Sequence, residues 1–246
     1  MKAFIFDVDK VVMNFSDQQA LSWREALRHF CQDVPLQSIR RKLSEQGTAS
    51  LSTFFPANRL NQYGQAFINH VALVYKDKYQ PRVQVRPQMY ELFEELRASG
   101  LKVGLIAGKP ELSGNRRLAQ LETLLQTRTR FAVSESVQSL MDVLSDTLIM
   151  HEIDDPSDVI MVCATPSLAQ AARALNMRVI GLVSSDFSEA ELCAAGCHEV
   201  YETPAALLQL VERSPWSGPL SRSQQRHQPQ ENRATLQHLR PLTIKS

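Results

Sequence analysis

The sequence has few of the features that mark secreted, membrane or nucleotide-binding proteins. Its four cysteines are scattered, apart from Cys193 and Cys197, so they indicate no disulfide framework. No apolar run approaches the roughly 18 residues of a membrane span. A glycine-rich phosphate loop and a dinucleotide fingerprint are both missing from the sequence. Residues 1–7 are too short an apolar stretch, and too soon interrupted by acid, for a signal peptide. We therefore expect a cytoplasmic protein with no membrane partner.

The spacing of Cys193 and Cys197 departs from the common zinc patterns, and no second pair of ligands follows nearby in the sequence. We interpret both cysteines as small packing residues.

Positive charge is concentrated at the end of the chain. The net charge is +1, but residues 214–246 contain five basic side chains against one acidic one, so the rest of the chain is mildly acidic. Over the same stretch the composition shifts to Ser, Gln, Pro, Arg and His, which predicts a basic, disordered tail. Three interpretations of this tail stay open: an inert extension, a non-specific contact with an anionic surface or nucleic acid, and a short motif that orders on a protein partner.

Two carboxylates follow the first apolar segment of the chain. Residues 3–8 have the pattern of a buried strand, and Asp7 and Asp9 stand one residue apart at its end. Alternate side chains of an extended strand share a face, so we expect the two carboxylates to converge. The carboxyl edge of a parallel sheet, where they would lie, is also where such sheets bind ligands.

The rest of the 246 residues divides into a helical region and an alternating region. Residues 14–84 show helical periodicity with no strand-like run, which predicts an inserted all-helical cap. From residue 85 to residue 213 apolar strands alternate with helices, with strands expected near 101–107, 131–133, 159–163, 178–183 and 199–201. This pattern predicts an α/β fold, a doubly wound parallel sheet built from residues 1–13 and 85–213.

These features together resemble the haloacid dehalogenase superfamily, in its helical-cap subgroup of phosphoglycolate phosphatase-like hydrolases. The resemblance rests on Asp7-x-Asp9, on residues 90–110 ending in Gly108-Lys109-Pro110, and on residues 159–166 with the helix and strand that follow them. It implies that Asp7 is a nucleophile forming an aspartyl-phosphate and that Asp9 is the general acid and base. It also implies Mg²⁺ as cofactor and a small phosphorylated ligand.

Several positions depart from the pattern of that family. Lys10 stands where glycine is usual, Ala107 where a phosphate-binding hydroxyl is usual, and Ala164 and Leu168 where acidic metal ligands are usual. The lysine of the third motif is also missing, because no lysine occurs between Lys109 and Lys245. Each such group supplies about 2–4 kcal/mol of transition-state stabilisation, so their joint loss argues against ordinary phosphatase turnover.

Other residues are candidates for the missing groups. Lys10 and Lys109 are candidate substrate-binding cations, and Asp186 is a candidate third metal ligand beside Asp7 and Asp9 because it follows a strand at the same edge. Arg128 and Arg130 precede the position of the third motif's lysine. The basic run of residues 40–42 on the predicted cap is either a solvated helix face or a contact for a phosphorylated ligand.

Lys10 also suggests a specific hypothesis, in which its ammonium folds back between Asp7 and Asp9 and neutralises them in place of a metal. The other interpretation is that Lys10 points to solvent. The function expected from the whole sequence is that of a catalytically degenerate phosphatase-like protein with a binding or regulatory role, whose partner is a small phosphorylated ligand or a protein. The alternative is an active Mg²⁺-dependent phosphomonoesterase.

Overall fold

A computed structural model of the chain describes residues 1–46, 50–108, 112, 114–134, 136–184, 186–213 and 242–243. One sheet runs through it. Its strands are β1 (Ala3–Asp7), β2 (Lys102–Ala107), β3 (Thr129–Phe131), β4 (Val159–Cys163), β5 (Arg178–Leu182), β6 (Glu199–Tyr201) and β7 (Leu242–Thr243).

Ten α-helices occur among these residues. They are α1 (Phe15–His29), α2 (Leu36–Gln46), α3 (Leu51–Phe54), α4 (Ala57–Val74), α5 (Pro87–Ala98), α6 (Arg116–Leu125), α7 (Val137–Met150), α8 (Pro166–Ala174), α9 (Glu189–Ala194) and α10 (Pro204–Arg213). No helix in this part of the chain is long and apolar enough to cross a membrane.

The strand order is β3-β2-β1-β4-β5-β6-β7, and the first six strands run parallel. The predicted doubly wound parallel sheet is therefore confirmed. β1 lies between β2 and β4, with Phe4 opposite Val103 on one side and Ile160 on the other. The sequence-based prediction did not include β7, which pairs antiparallel with β6. It falls within residues 214–246, whose other members lie outside the described residues.

Helices cover both faces of the sheet, and the alternation of side chains along β1 shows why. Phe4 and Phe6 point into a core that also contains Phe93 of α5, whereas Ala3 and Ile5 point into a second core beneath α7 and α8. All five residues of β1 are buried. A strand covered on both faces must be apolar throughout, which is why this segment has no polar residue before Asp7.

The helices α1 to α4 lie between β1 and β2 in the chain and have a core of their own. Trp23 and Phe67 meet edge to face at 5.3 Å, and Phe55 packs against Phe67 at 5.2 Å. These aromatic residues belong to one buried cluster, which is the core of the helical insertion. An antiparallel bridge between Met13 and Val85 brings the two ends of this helical insertion together.

One strand begins at a position other than that expected. β3 covers Thr129–Phe131 rather than residues 131–133, because Thr129 pairs with Leu105 and Phe131 with Ala107. The helix before it, α6, begins at Arg116, because Asn115 caps it by accepting from the backbone N–H groups of residues 117 and 118.

Gly104 of β2 lies where the sheet packs closely against α7. A Cβ atom at this position would lie 2.9 Å from Cγ2 of Thr147 and 3.1 Å from Cγ1 of Ile5. Since both neighbours are branched and buried, we expect Gly104→Ala to lower the free energy of unfolding by about 1–3 kcal/mol. In Gly64→Ala, the added atom meets the flexible ends of Leu60 at 3.3 Å and Leu51 at 3.7 Å, and better helix propensity favours the variant. Urea unfolding of both variants measures the difference, and equal stability would contradict this account of the packing.

Candidate active site at the carboxyl edge of the sheet

The chain leaves β1 through a π-helical turn at Val8–Val12, and this turn determines where the two carboxylates lie. Asp7 ends the strand, and its Oδ1 accepts from the backbone N–H of Asp9 at 3.1 Å and of Lys10 at 3.3 Å. Asp9 belongs to the turn and not to the strand. The expectation that strand alternation would bring them to one face was therefore wrong in its cause, although both carboxylates do line the same cavity.

The cavity at Asp7 and Asp9 is small and partly apolar. It has a volume of about 30 Å³, close to the share of one water molecule in the liquid. Oδ2 of Asp9 accepts from the backbone N–H of Gly108, which follows β2, at 2.8 Å. Besides these three residues, the lining consists of Lys10, Leu140, Thr165, Ser167 and Leu168. Two leucines, one threonine and one serine thus line the same cavity as the carboxylates.

Lys10 turns away from the two carboxylates and towards the cap. Its Nζ forms an ion pair with Oδ2 of Asp186 at 3.2 Å and donates to the hydroxyl of Ser44 in α2. Ser44 in turn donates to Oδ2 of Asp186 at 2.9 Å. Both charged side chains are mostly buried, with 10% of Lys10 and 8% of Asp186 exposed. The hypothesis that Lys10 neutralises Asp7 and Asp9 was therefore wrong: its partners come from the cap and from the loop after β5.

A second contact joins the cap to the sheet domain at a more exposed position. Arg41 of α2 pairs with Glu191 of α9 at 2.6 Å and lies 5.8 Å from the ring centre of Phe187. The N–H and hydroxyl of Ser188, followed by Arg41, lower the pKa of Glu191. The carboxylate of Glu191 is therefore ionised at neutral pH and available to hold the cap.

A third contact has two arginines on one acid. Oδ1 of Asp17 in α1 forms an ion pair with Arg40 of α2 at 2.8 Å. Its Oδ2 forms another with Arg86, just before α5, at 3.3 Å. The basic run of residues 40–42 is thus not a uniform solvated face, since Arg40 and Arg41 both take part in contacts at the edge of the cap.

The described residues do not make a complete magnesium site. Among them, no three His, Cys, Asp or Glu side chains are grouped so as to hold a metal ion. The carboxylate of Asp186, the candidate third ligand, is directed at Lys10 and Ser44. Leu168 faces the carboxylates at a position where the family resemblance implies an acid. Lys109, the other candidate cation, lies outside the described residues.

Several residues that line this region were not among the predicted site residues. Thr165 begins α8 without capping it through its side chain, and together with Ser167 it contributes oxygen to the small cavity. Their position directly after β4 is a signal that could have identified them. Ser44 has no such signal, because it reaches the site from the cap.

A second pair of side chains lies beneath the site without taking part in it. The thiol of Cys163, the last residue of β4, contacts Cys197, and this contact together with burial raises its pKa. Cys163 is therefore a neutral packing residue, as is suitable for a position inside the sheet. This supports the interpretation of Cys197 as a packing residue.

The chain is similar to known proteins in sequence and in fold. A family model described as haloacid dehalogenase-like hydrolase matches residues 4–182. No curated protein matches the chain. A haloacid dehalogenase-like hydrolase from Streptococcus pneumoniae has a similar structure with a TM-score of 0.69 at 18% identity, over 85% of this chain and 98% of that one.

Two further solved structures are similar. One is a haloacid dehalogenase family hydrolase from Deinococcus radiodurans R1 with bound phosphate and sodium, with a TM-score of 0.71 at 16% identity over 89% of this chain and 99% of that one. The other is a hydrolase from Pseudomonas syringae, with a TM-score of 0.63 at 21% identity over 86% of this chain and 98% of that one. At these identities the likeness shows the fold.

The buried pair of Lys10 and Asp186 gives a stability prediction. Lys10→Met leaves the Asp186 carboxylate buried without its cation, so we expect the free energy of unfolding to fall by about 3–5 kcal/mol. Adding Asp186→Asn to this variant removes the stranded charge and recovers part of the loss. Lys2→Met is the matched control, since Lys2 is 54% exposed in its pair with Asp158 and such pairs contribute at most about 1 kcal/mol. Denaturant unfolding measures all three, and a Lys10→Met loss no larger than that of the control would contradict the pairing.

Proposed function

Because the chain belongs to the haloacid dehalogenase-like hydrolase family, we propose that it uses the family's fold for binding or regulation and has lost ordinary phosphatase turnover. The observation that supports this most directly is the lining of the cavity at Asp7 and Asp9, where Leu140 and Leu168 face the carboxylates. The ligand or protein partner binds at the interface between the cap and the sheet domain, where the buried and charged contacts lie.

The electrostatics of phosphoryl transfer give the physical reason. A phosphate dianion that approaches two carboxylates is repelled unless nearby cations or donors offset the charge. The ammonium of Lys10 is instead held by Asp186 and Ser44. Ala107, at the end of β2, offers a methyl group in place of a hydroxyl. The described residues therefore offer Asp7 and Asp9 mainly backbone N–H groups and two hydroxyls.

An active phosphomonoesterase remains the second candidate, and one observation favours it. Asp7 and Asp9 are both held in fixed positions by backbone N–H groups, as a nucleophile and an acid/base residue need to be. The relative from Deinococcus radiodurans, whose fold is similar, was solved with bound phosphate. In this reading the carboxylate of Asp7 attacks phosphorus and the P–O bond to the alcohol breaks, while Asp9 protonates the leaving alcohol. Asp9 then takes a proton from the water that hydrolyses the aspartyl-phosphate, with Thr165 and Ser167 supplying further oxygen atoms.

Magnesium titration separates the two functions. We expect calorimetry to detect no magnesium binding up to millimolar concentration, and we expect a panel of phosphate monoesters to show no turnover that depends on Asp7. The same preparation of Asp7→Asn is the control for both measurements, because it keeps the shape of the residue and removes its charge. Magnesium binding with turnover that the Asp7→Asn variant lacks would overturn the binding role and establish the phosphomonoesterase.

Leu168→Asp tests whether the missing acidic ligand is the reason why phosphatase turnover was lost. This change adds a third carboxylate to the cavity of Asp7 and Asp9, and oxygen ligands of this kind are those that Mg²⁺ prefers. We expect calorimetry to detect magnesium binding by this variant at concentrations where the unmodified protein shows none. Leu124→Asp, on an exposed side of α6, adds the same charge away from the cavity and serves as control. Equal affinity in the two variants would show that the leucine is not what prevents metal binding.

A further inference from the structure

A cavity of about 200 Å³ lies within the cap, between α1 and α4. Its wall on the α1 side consists of Phe15, Gln19, Ser22 and Trp23. A spacing of i, i+4, i+7 and i+8 places residues on one face of a helix, so this wall is a single stripe along α1. None of these residues lines the small cavity of Asp7 and Asp9.

The opposite wall is one face of α4. Its residues are Ile68, Val71 and Ala72 of the helix, with Tyr75 at the start of the π-helical turn Tyr75–Tyr79 that follows. Their spacing of i, i+3, i+4 and i+7 again indicates a single helical face. Since α1 and α4 pack against each other, the two stripes face each other across the cavity.

Two pairs of aromatic rings join these walls, one at each end of the cavity. Phe15 and Tyr75 meet edge to face at 5.9 Å, and Trp23 meets Phe67 at 5.3 Å. The two pairs are eight residues apart along both walls, which corresponds to about 12 Å of helix. Two of the residues between them, Ser22 and Ala72, have small side chains and leave this space unfilled.

The cavity lies where the core of the cap meets the core of the sheet domain. Trp23 belongs to the buried cluster of the cap, whereas Phe15 belongs to the cluster that contains Phe4 and Phe6 of β1. Trp23 and Phe15 are both buried, but Ala72 is exposed, so the cavity opens to solvent beside it. A molecule that enters past Ala72 therefore contacts both cores.

The chemistry of the lining selects a neutral molecule. Asp, Glu, Lys, Arg and His are all absent from the lining residues that the structure describes. The hydroxyl of Ser22 donates to the backbone oxygen of Gln19 at 2.7 Å, so it is already satisfied. A charged group in this cavity would lose its hydration without gaining a counter-ion. Apolar cavities of similar size, about 150 Å³, stay dry and bind benzene.

We propose that this cavity binds a neutral molecule with a single aromatic ring. The ring lies between the pair of Phe15 with Tyr75 and the pair of Trp23 with Phe67. Aromatic rings in contact gain from offset and edge-to-face packing, so aromatic end walls favour an aromatic ligand over a saturated one. The site goes beyond the binding role proposed above, because it involves neither Asp7 nor Asp9.

The fluorescence of Trp23 measures the binding. The sequence has two tryptophans, so Trp216→Phe leaves Trp23 as the only one in the full-length chain. Benzyl alcohol is the neutral aromatic probe, and benzoate and protonated benzylamine have a similar shape with a charge. We expect a saturable change in Trp23 emission with benzyl alcohol and at least tenfold weaker binding of both charged probes. Cyclohexylmethanol, the saturated probe, is expected to bind roughly threefold more weakly.

Three results would overturn the proposal. The first is a change in emission that does not saturate with benzyl alcohol, and the second is equal affinity for benzoate or for cyclohexylmethanol. The third is emission that changes with protein concentration alone, which would show that a second copy of the chain fills the cavity.

Variants locate the binding. Ser22 is fully buried, so the side chain added in Ser22→Leu occupies the cavity and is expected to weaken benzyl alcohol binding at least tenfold. Ser145→Leu is the matched control on α7, where the hydroxyl also bonds to its own helix. Ala72→Phe fills the cavity from its opening, with Ala66→Phe at an exposed position of α4 as control. Both controls are expected to keep the affinity, and losses no greater than theirs would overturn the site.

The outcome is separable from that of the proposed function. Asp7 does not line this cavity, so Asp7→Asn is expected to bind benzyl alcohol as the unmodified protein does. Loss of binding in Asp7→Asn would contradict the location of the site, whatever the phosphate monoesters show.

Discussion

Lys10 and Asp186 form the ion pair on which the arrangement of this protein's functional edge depends. It joins the turn after β1 to the loop after β5, and Ser44 adds the cap to the same contact. Both charges are nearly removed from water, which costs several kcal/mol for each ion unless partners surround it. The pair therefore requires the cap to be in place, since without Ser44 one hydrogen-bond partner of both charges is lost.

This pairing has a consequence for the chemistry of Asp7 and Asp9. Lys10 directly follows Asp9 and is near enough in sequence to pair with either carboxylate. It pairs instead with a third acid, Asp186. Leu168 acts in the same direction, because its apolar side chain lines the cavity and disfavours a hydrated cation there. The two departures from the family pattern thus act in the same direction.

The sheet could be predicted well from the sequence because the patterns that indicate strands and helices are local. Apolar runs and helix periodicity depend on near neighbours, so β1, β4 and β6 lie where the pattern put them, while β3 shifted because its register is set by β2. The site was predictable in part. Asp7 and Asp9 were found from their spacing, but the partner of Lys10 is 176 residues away in the sequence. No local pattern can identify such a contact.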